Sequence, residues 1–127
     1  MREGGSSYDI VLYEDDRGNS EIADFLAQVA EDAAAGKKDA VTLKKQIDLN
    51  LELLKQAGTR IGKPYVDHID GPIWELRPGR YRVLFVGWNG SHFVLLHHFM
   101  KSTQKTPRRE IEKAKREYSQ WVKSHGQ

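Results

Sequence analysis

The segment from Tyr81 to Lys101 constrains the fold more than any other part of this 127-residue chain. It contains two apolar runs, Tyr81–Trp88 and His92–Lys101, which are joined through Asn89-Gly90. Asn-Gly between two such runs is the strongest short-range signal for a β-hairpin. The sequence therefore predicts an antiparallel strand pair, around which the other elements must be arranged.

The flanking sequence predicts further strands. Ile73–Arg77 reads as a strand that precedes the hairpin, and Tyr8–Tyr13 alternates weakly and reads as a first strand. The stretch Thr59–Pro72 is rich in Gly and Pro, so we expect a loop there.

Three helices complete the pattern. Ser20 can cap a helix that stops near Gly36, and a second helix covers roughly Lys38–Gln56 and ends at Gly58. The two helices are expected to form an antiparallel hairpin. A last helix is expected to follow Thr106 as N-cap, with Pro107 at its first position. Its apolar stripe consists of Ile111, Ala114, Tyr118, Trp121 and Val122.

This order, β-α-α-β-β-β-α, predicts an α+β fold in which a small mixed or antiparallel sheet carries an N-terminal helical hairpin and a C-terminal helix. The length fits one domain, residues 1–127. The chain has no Cys, which excludes disulfides, thiolate chemistry and cysteine-ligated zinc. That absence agrees with a cytoplasmic location, and no apolar run is long enough to span a bilayer.

Charge is distributed unevenly between the two halves of the chain. Residues 1–59 contain 7 Lys/Arg and 12 Asp/Glu, whereas residues 60–127 contain 13 Lys/Arg and 6 Asp/Glu and all 5 His. A basic half on a nearly neutral protein suggests a surface that binds a polyanion such as nucleic acid. The alternative is a solvated surface with ordinary surface charges.

Three arginines lie around the turn before the hairpin. Arg77 ends one predicted strand, Arg80 lies in the turn, and Arg82 alternates with Leu84 and Val86. A charge among apolar neighbours must find a partner, and a guanidinium suits phosphate because it donates two parallel hydrogen bonds. The alternative is internal pairing of Arg77 and Arg82, either with Glu75 or with acidic residues of the helices.

Histidines lie on the predicted strand His92–Lys101, the second strand of the hairpin. Strict alternation would place His97 on one face with Phe99 and Lys101, and His98 on the other with Leu96 and Met100. On the same basis His92 and His98 would share a face. His97 is the candidate for proton transfer near neutral pH, although a strand histidine is more often structural. His68-x-Asp70 is only a weak metal pattern, so we predict neither a metal nor a cofactor.

Basic residues also cluster where the last strand leads into the last helix. They are Lys101, Lys105, Arg108 and Arg109. A helix N-terminus attracts anions, and cations placed there oppose the helix dipole, which favours a phosphate-binding role. Tyr81, next to Arg82, could stack on a base, whereas the three tryptophans are predicted to be mainly core residues.

Two sequence blocks carry a family resemblance. IWELRPGRYRVLF and LLHHFMKSTQKTPRREIEKAK resemble the RelE/HigB-like bacterial toxins of type II toxin–antitoxin systems, including the phage Gp49-like branch. The resemblance implies a small RelE-like fold and metal-independent cleavage of mRNA in the ribosomal A site. It also implies a cognate antitoxin, often a helix-turn-helix DNA-binding protein, together with ribosome and mRNA as partners.

The resemblance also assigns roles to residues. Arg77 and Arg82 would bind the scissile phosphate, Lys101 and Lys105 would stabilise charge, and His97 would transfer a proton. Arg80, Tyr81, Arg108 and Arg109 would bind the RNA around it. The chain departs from the family pattern where Ser102 replaces a second Lys and where Ile73 and Glu75 replace first-strand lysines. These departures give weight to one alternative, a degenerate module that only binds antitoxin. The other alternative is a ParE-like toxin on the same scaffold, which inhibits DNA gyrase without cleaving RNA.

Overall fold

The computed structural model describes residues 7–127 and shows an α+β fold built on one five-stranded sheet. The strands lie in the order β1-β5-β4-β3-β2, with β1 parallel to β5 and all other neighbours antiparallel. The elements are β1 (Asp9–Leu12), α1 (Glu21–Ala34), α2 (Lys38–Ala57), β2 (Val66–Asp70), β3 (Ile73–Leu76), β4 (Tyr81–Trp88), β5 (His92–Met100) and α3 (Arg108–His125). The predicted fold class is thus confirmed. None of the helices in the described part of the chain is long and apolar enough to cross a membrane.

The predicted start of the helical hairpin is confirmed at atomic detail. The Ser20 hydroxyl accepts a hydrogen bond from the Ala23 amide, which satisfies one of the free N–H groups at the start of α1. Gly36 and Gly58 follow the two helices with positive φ, as glycines at helix C-termini commonly do. Helices α1 and α2 then pack against each other.

The β4–β5 hairpin also forms as predicted. Asn89 and Gly90 both have positive φ, at 49° and 81°. A type I′ turn requires positive φ at both central residues, and Asn and Gly tolerate this conformation better than other residues do. This hairpin is the centre of the sheet, because β1 joins one of its edges and β3 joins the other.

The prediction of a loop between α2 and β3 was wrong. The stretch Thr59–Pro72 is not a continuous loop, since it contains a short 3₁₀ turn (Gly58–Ile61) and the edge strand β2. Strand β2 pairs antiparallel with β3, and its register shifts between His68 and Asp70. The sequence of β2, VDHID, lacks the β-branched and aromatic density of a typical strand. Its pairing with β3 therefore decides its conformation.

A second correction concerns the faces of β5. Leu84 pairs with His97 while Phe85 pairs with Leu95, so Leu96 is an extra residue that forms a β-bulge. The bulge reverses the alternation, so Leu96 and His97 both face α3 and His98 faces α1. The predicted grouping of His98 with Leu96, and of His98 with His92, was wrong for this reason.

Both faces of the sheet are covered. Towards α3 the core contains Val86, Leu96 and Trp121, and towards the helical hairpin it contains Ile22, Leu54 and Phe85. The prediction of core tryptophans is confirmed for the buried Trp121, while Trp74 and Trp88 are partly buried against the two cores. The sheet thus holds the start of β4 and the end of β5 in place, and both lead to the candidate site.

Candidate functional site

The predicted site residues that lie closest together surround the loop 101–107, which connects β5 to α3. A shallow depression of about 560 Å³ runs along this loop to the start of α3. A narrower cleft beside it reaches inward to Glu75, Arg82 and Phe99. We refer to the depression and the cleft together as the groove.

Arg82 forms the inner wall of the groove. Its Nη1 donates to the Gly79 carbonyl at 3.0 Å and to the Tyr81 carbonyl at 2.7 Å, and its Nε lies 3.8 Å from Glu75 Oε1. The side chain is only 13% exposed. Burial lowers the pKa of Arg82, the charge of Glu75 raises it, and that of Arg77 lowers it. The backbone contacts fix the guanidinium and leave its Nη2 without a protein partner in the described residues.

Arg77 has a different environment. Its Nε donates to Glu75 Oε1 at 3.2 Å and its Nη2 donates to Asp67 Oδ2 at 3.1 Å. Asp67 and Glu75 are cross-strand neighbours on β2 and β3. Arg77 therefore lies between two carboxylates that would otherwise repel each other. The internal pairing that the sequence left open for Arg77 is present, with Asp67 as a partner from the strand that was not predicted.

Thr106 connects the loop to the sheet. Its Oγ1 donates to Glu75 Oε2 at 2.6 Å. The N-cap of α3 is Pro107, one residue later than predicted, and no side chain caps the helix. The expectation of Thr106 as the N-cap was thus wrong, because the hydroxyl bonds the Glu75 carboxylate instead of the helix.

Exposed cations lie in the outer part of the groove or, in the case of Arg80, directly beside it. Lys101, Lys105 and Arg80 are exposed, and none of them forms an ion pair within residues 7–127. The Lys101 amide donates to the Arg80 carbonyl at 2.7 Å, which places these two residues side by side. Arg108 and Arg109 are also exposed but have acidic neighbours, Glu112 and Glu110 respectively. The groove is thus a cationic surface around a fixed arginine.

His97 does not open onto the groove. The side chain is 1% exposed, with Nδ1 at 2.6 Å from Glu117 Oε1 and Nε2 at 3.0 Å from Glu110 Oε1. Both carboxylates belong to α3, so His97 links this helix to β5. With both ring nitrogens occupied, His97 has no path to a substrate in this conformation, and its contacts are those of a structural residue.

Tyr81 and His98 lie on the opposite face of the sheet from Arg82. Both pack against Phe25 of α1, with ring centroids 5.0 Å and 3.9 Å from it. Burial and the charge of His97 lower the pKa of His98. Tyr81 is partly exposed at the end of the sheet that carries the groove, so its predicted contact with RNA stays a prediction.

The described residues contain no cluster of three or more His, Cys, Asp or Glu side chains arranged to hold a metal ion. The groups that the groove offers a ligand are guanidinium, ammonium and hydroxyl donors. Such donors suit a phosphate or another oxyanion.

Comparison with known families identifies the family of this chain. Residues 37–119 match the family model described as Phage derived protein Gp49-like (DUF891), which covers most of the chain. The chain belongs to the Gp49-like family. This family is a branch of the RelE/HigB-like toxin superfamily, so the predicted resemblance is confirmed. Membership indicates a toxin of the toxin–antitoxin type with an antitoxin as partner. No curated protein matches the chain significantly.

Two carboxylates that contact the predicted site arginines were not predicted as site residues. Glu75 was expected only as a possible internal partner of Arg77 and Arg82, and the structure adds the hydrogen bond that it accepts from Thr106. Asp67 lies in the stretch expected to be a loop. The sequence signal for Glu75 was its position two residues before Arg77 on a strand, which puts both side chains on one side of it.

Proposed function

We propose that this Gp49-like protein is a ribosome-dependent endoribonuclease that cleaves mRNA in the A site and so inhibits translation. The observation that carries the proposal is the position of Arg82, which two backbone carbonyls hold at the inner wall of a groove lined with unpaired lysines. Family membership in a toxin superfamily supports the same conclusion.

The proposed reaction is an internal transesterification. The ribose 2′-oxygen loses its proton to solvent water and forms a bond to the adjacent phosphorus. At the same time the bond from phosphorus to the 5′-oxygen breaks, and that oxygen takes up a proton from a lysine ammonium group, which is reprotonated from solvent. The products are a 2′,3′-cyclic phosphate and a 5′-hydroxyl. Negative charge builds up on the non-bridging oxygens in the transition state, so fixed cations beside the phosphate accelerate the step.

The groove supplies those cations. Arg82 would donate from its free Nη2 edge to a non-bridging oxygen, and it is already oriented before substrate arrives, so little reorganisation is needed. Lys101 and Lys105 would stabilise the same charge, and one of the two would donate the proton that the leaving 5′-oxygen takes up. Arg80, Arg108 and Arg109 are exposed at the rim, where they would bind neighbouring phosphates of the mRNA.

Two further predicted residues receive revised roles. Arg77 is paired with Asp67 and Glu75, so we assign it to holding Glu75 rather than to binding phosphate. His97 is enclosed by α3, so we assign it to the attachment of that helix. The ribosome would supply the alignment of the 2′-oxygen, and for this reason free RNA is expected to be a poor substrate.

The antitoxin partner is proposed to be a helix-turn-helix DNA-binding protein that covers the basic surface. The 13 Lys/Arg against 6 Asp/Glu of residues 60–127 favour an acidic segment as the covering element. Binding of such a segment would compete with the negatively charged mRNA for the same cations.

The test is primer extension on mRNA paused on purified ribosomes. Wild type should create new 5′ ends within A-site codons, and Arg82→Ala should lower the cleavage rate by about 100-fold, the usual loss for one fixed donor to a developing oxyanion. Lys123→Ala is the matched control, because Lys123 is exposed in the last turn of α3. It lies about 22 Å along that helix from Arg108.

Equal cleavage by wild type and Arg82→Ala would refute the assignment of the groove. Absence of new ends from folded wild-type protein would refute nuclease activity. In that case, DNA breaks in cells that express the protein would indicate gyrase inhibition, and harmless expression would indicate a module that only binds antitoxin.

A further inference from the structure

Glu75 is the one buried carboxylate in the described part of the chain. Its side chain is 3% exposed, and it lies on β3 facing the groove. A carboxylate is rarely buried unless hydrogen bonds and opposite charges compensate for its lost hydration. The partners of Glu75 therefore show which parts of the site this carboxylate connects.

The two oxygens of Glu75 have separate partners. Oε1 accepts from Arg77 Nε at 3.2 Å and lies 3.8 Å from Arg82 Nε. Oε2 accepts from Thr106 Oγ1 at 2.6 Å. One carboxylate thus connects the end of β3, the start of β4 and the loop that leads to α3.

Glu75 interacts differently with the two arginines beside it. Arg77 has hydrogen bonds to both Glu75 and Asp67, so its charge is well compensated. Arg82 is too far from Glu75 for a hydrogen bond and receives only electrostatic attraction. Glu75 can therefore orient Arg82 without occupying the donors that a phosphate would use.

The Thr106 hydrogen bond controls the position of the loop. Lys105 precedes Thr106 directly, and residues 101–105 are all exposed. At its other end the loop is fixed by the hydrogen bond from the Lys101 amide to Arg80. Loss of the Thr106 contact would free Lys105 to move relative to Arg82, while the sheet would stay intact.

We propose that Glu75 is a positioning residue that holds Arg82 and, through Thr106, the Lys105 segment in one fixed arrangement around the phosphate. This role rests on the nuclease function proposed above. Its effect should appear in the cleavage step rather than in binding, because the exposed cations that attract RNA remain when the contact is lost.

The experiment uses Thr106→Val, which keeps the shape of the side chain and replaces its hydroxyl with a methyl group that cannot donate a hydrogen bond. Single-turnover cleavage on paused ribosomes should become about 10-fold slower, with the half-saturating protein concentration unchanged within about twofold. Thr106→Ser should restore the rate because it restores the hydroxyl. Thr42→Val, on an exposed position of α2, is the matched control and should behave like wild type.

Amide hydrogen exchange provides a readout that does not depend on activity. In Thr106→Val, exchange should become faster in residues 101–107 and stay unchanged in β4 and β5. Glu75→Ala, which removes the acceptor altogether, should show the same local change, provided that its far-UV circular dichroism matches wild type. Equal exchange in Thr106→Val and wild type would overturn the anchoring of the loop.

The outcomes separate this inference from the proposed function. Faster exchange together with slower cleavage supports both. Faster exchange with an unchanged cleavage rate overturns the positioning role alone. If wild type does not cleave RNA, the nuclease function and the positioning role in cleavage both fail, while faster exchange would still support the anchoring of the loop by Glu75.

Discussion

Replacement of His97 by Ala is expected to destabilise the protein strongly without removing a group that contacts RNA. His97 fills a buried site between Glu110 and Glu117, with nitrogen–oxygen distances of 3.0 Å and 2.6 Å. The substitution would remove both hydrogen bonds and leave two carboxylates facing a cavity. The helix α3 would lose its main polar attachment to β5.

The magnitude follows from these contacts. A hydrogen bond to a charged group contributes about 1.5–3 kcal/mol, and removal of one partner of a buried ion pair costs about 3–5 kcal/mol. Because the two carboxylates keep 17% and 13% of their side-chain exposure, water can partly hydrate them, so we expect about 3 kcal/mol. For a chain of this size that corresponds to a Tm lower by roughly 10 °C.

The assay is urea unfolding of wild type, His97→Ala, Glu117→Gln and the double variant. Glu117→Gln should destabilise wild type, but it should be neutral or stabilising in the His97→Ala background, where it removes an unpaired carboxylate. His92→Ala is the control, because His92 lies at the end of β5 where this strand pairs with β1. This substitution should change the free energy of unfolding by less than about 1 kcal/mol. A loss of stability below about 1 kcal/mol for His97→Ala, together with a large loss of cleavage per folded molecule, would refute the structural role and favour catalysis.

Two further predictions concern stability. The hydrogen bond and charge of Lys113 hold the pKa of Glu21 below its ordinary value. This ion pair therefore stabilises the fold fully at pH values above the unfolded-state pKa of Glu21. The stabilisation is lost as the pH falls through the lower folded-state pKa. The urea midpoint of wild type should therefore be higher than that of Glu21→Gln at pH 7, and the difference should shrink as the pH falls below the ordinary pKa of a glutamate. A difference that does not change with pH would contradict the linkage. Phe85→Ala should cost about 3–5 kcal/mol because this side chain is fully buried, whereas the half-exposed Leu49 should tolerate the same change with little loss. Thermal unfolding of the two variants would decide this, and similar losses would count against a core role for Phe85.

Local chemistry was sufficient to predict much of the architecture. Asn89 and Gly90 predict their turn because few other residue pairs adopt positive φ at both positions, and Ser20 predicts the start of α1 because its hydroxyl can satisfy a free amide. Regular apolar spacing predicts the helices and the central strands. The two sequence blocks around β4 and β5 were also specific enough to indicate the family.

Other features depend on contacts between distant segments. Strand β2 exists because β3 offers it a pairing edge, and its own sequence carries little strand preference. The bulge at Leu96 moves His97 to the α3 side, and a pattern of period two contains no sign of an inserted residue.

The roles of the charged residues depended most on the tertiary structure. Strand alternation and the short turn before Tyr81 were enough to predict that Arg77, Arg80 and Arg82 lie around one corner of the sheet, with Lys101 at the end of the last predicted strand. Only the fold decided which of them are free to bind an anion. Asp67, ten residues away in sequence, pairs with Arg77, whereas two backbone carbonyls orient Arg82 and leave its outer edge open. The free energy of a charged group is set by its neighbours in space, and a linear sequence does not state which neighbours those are.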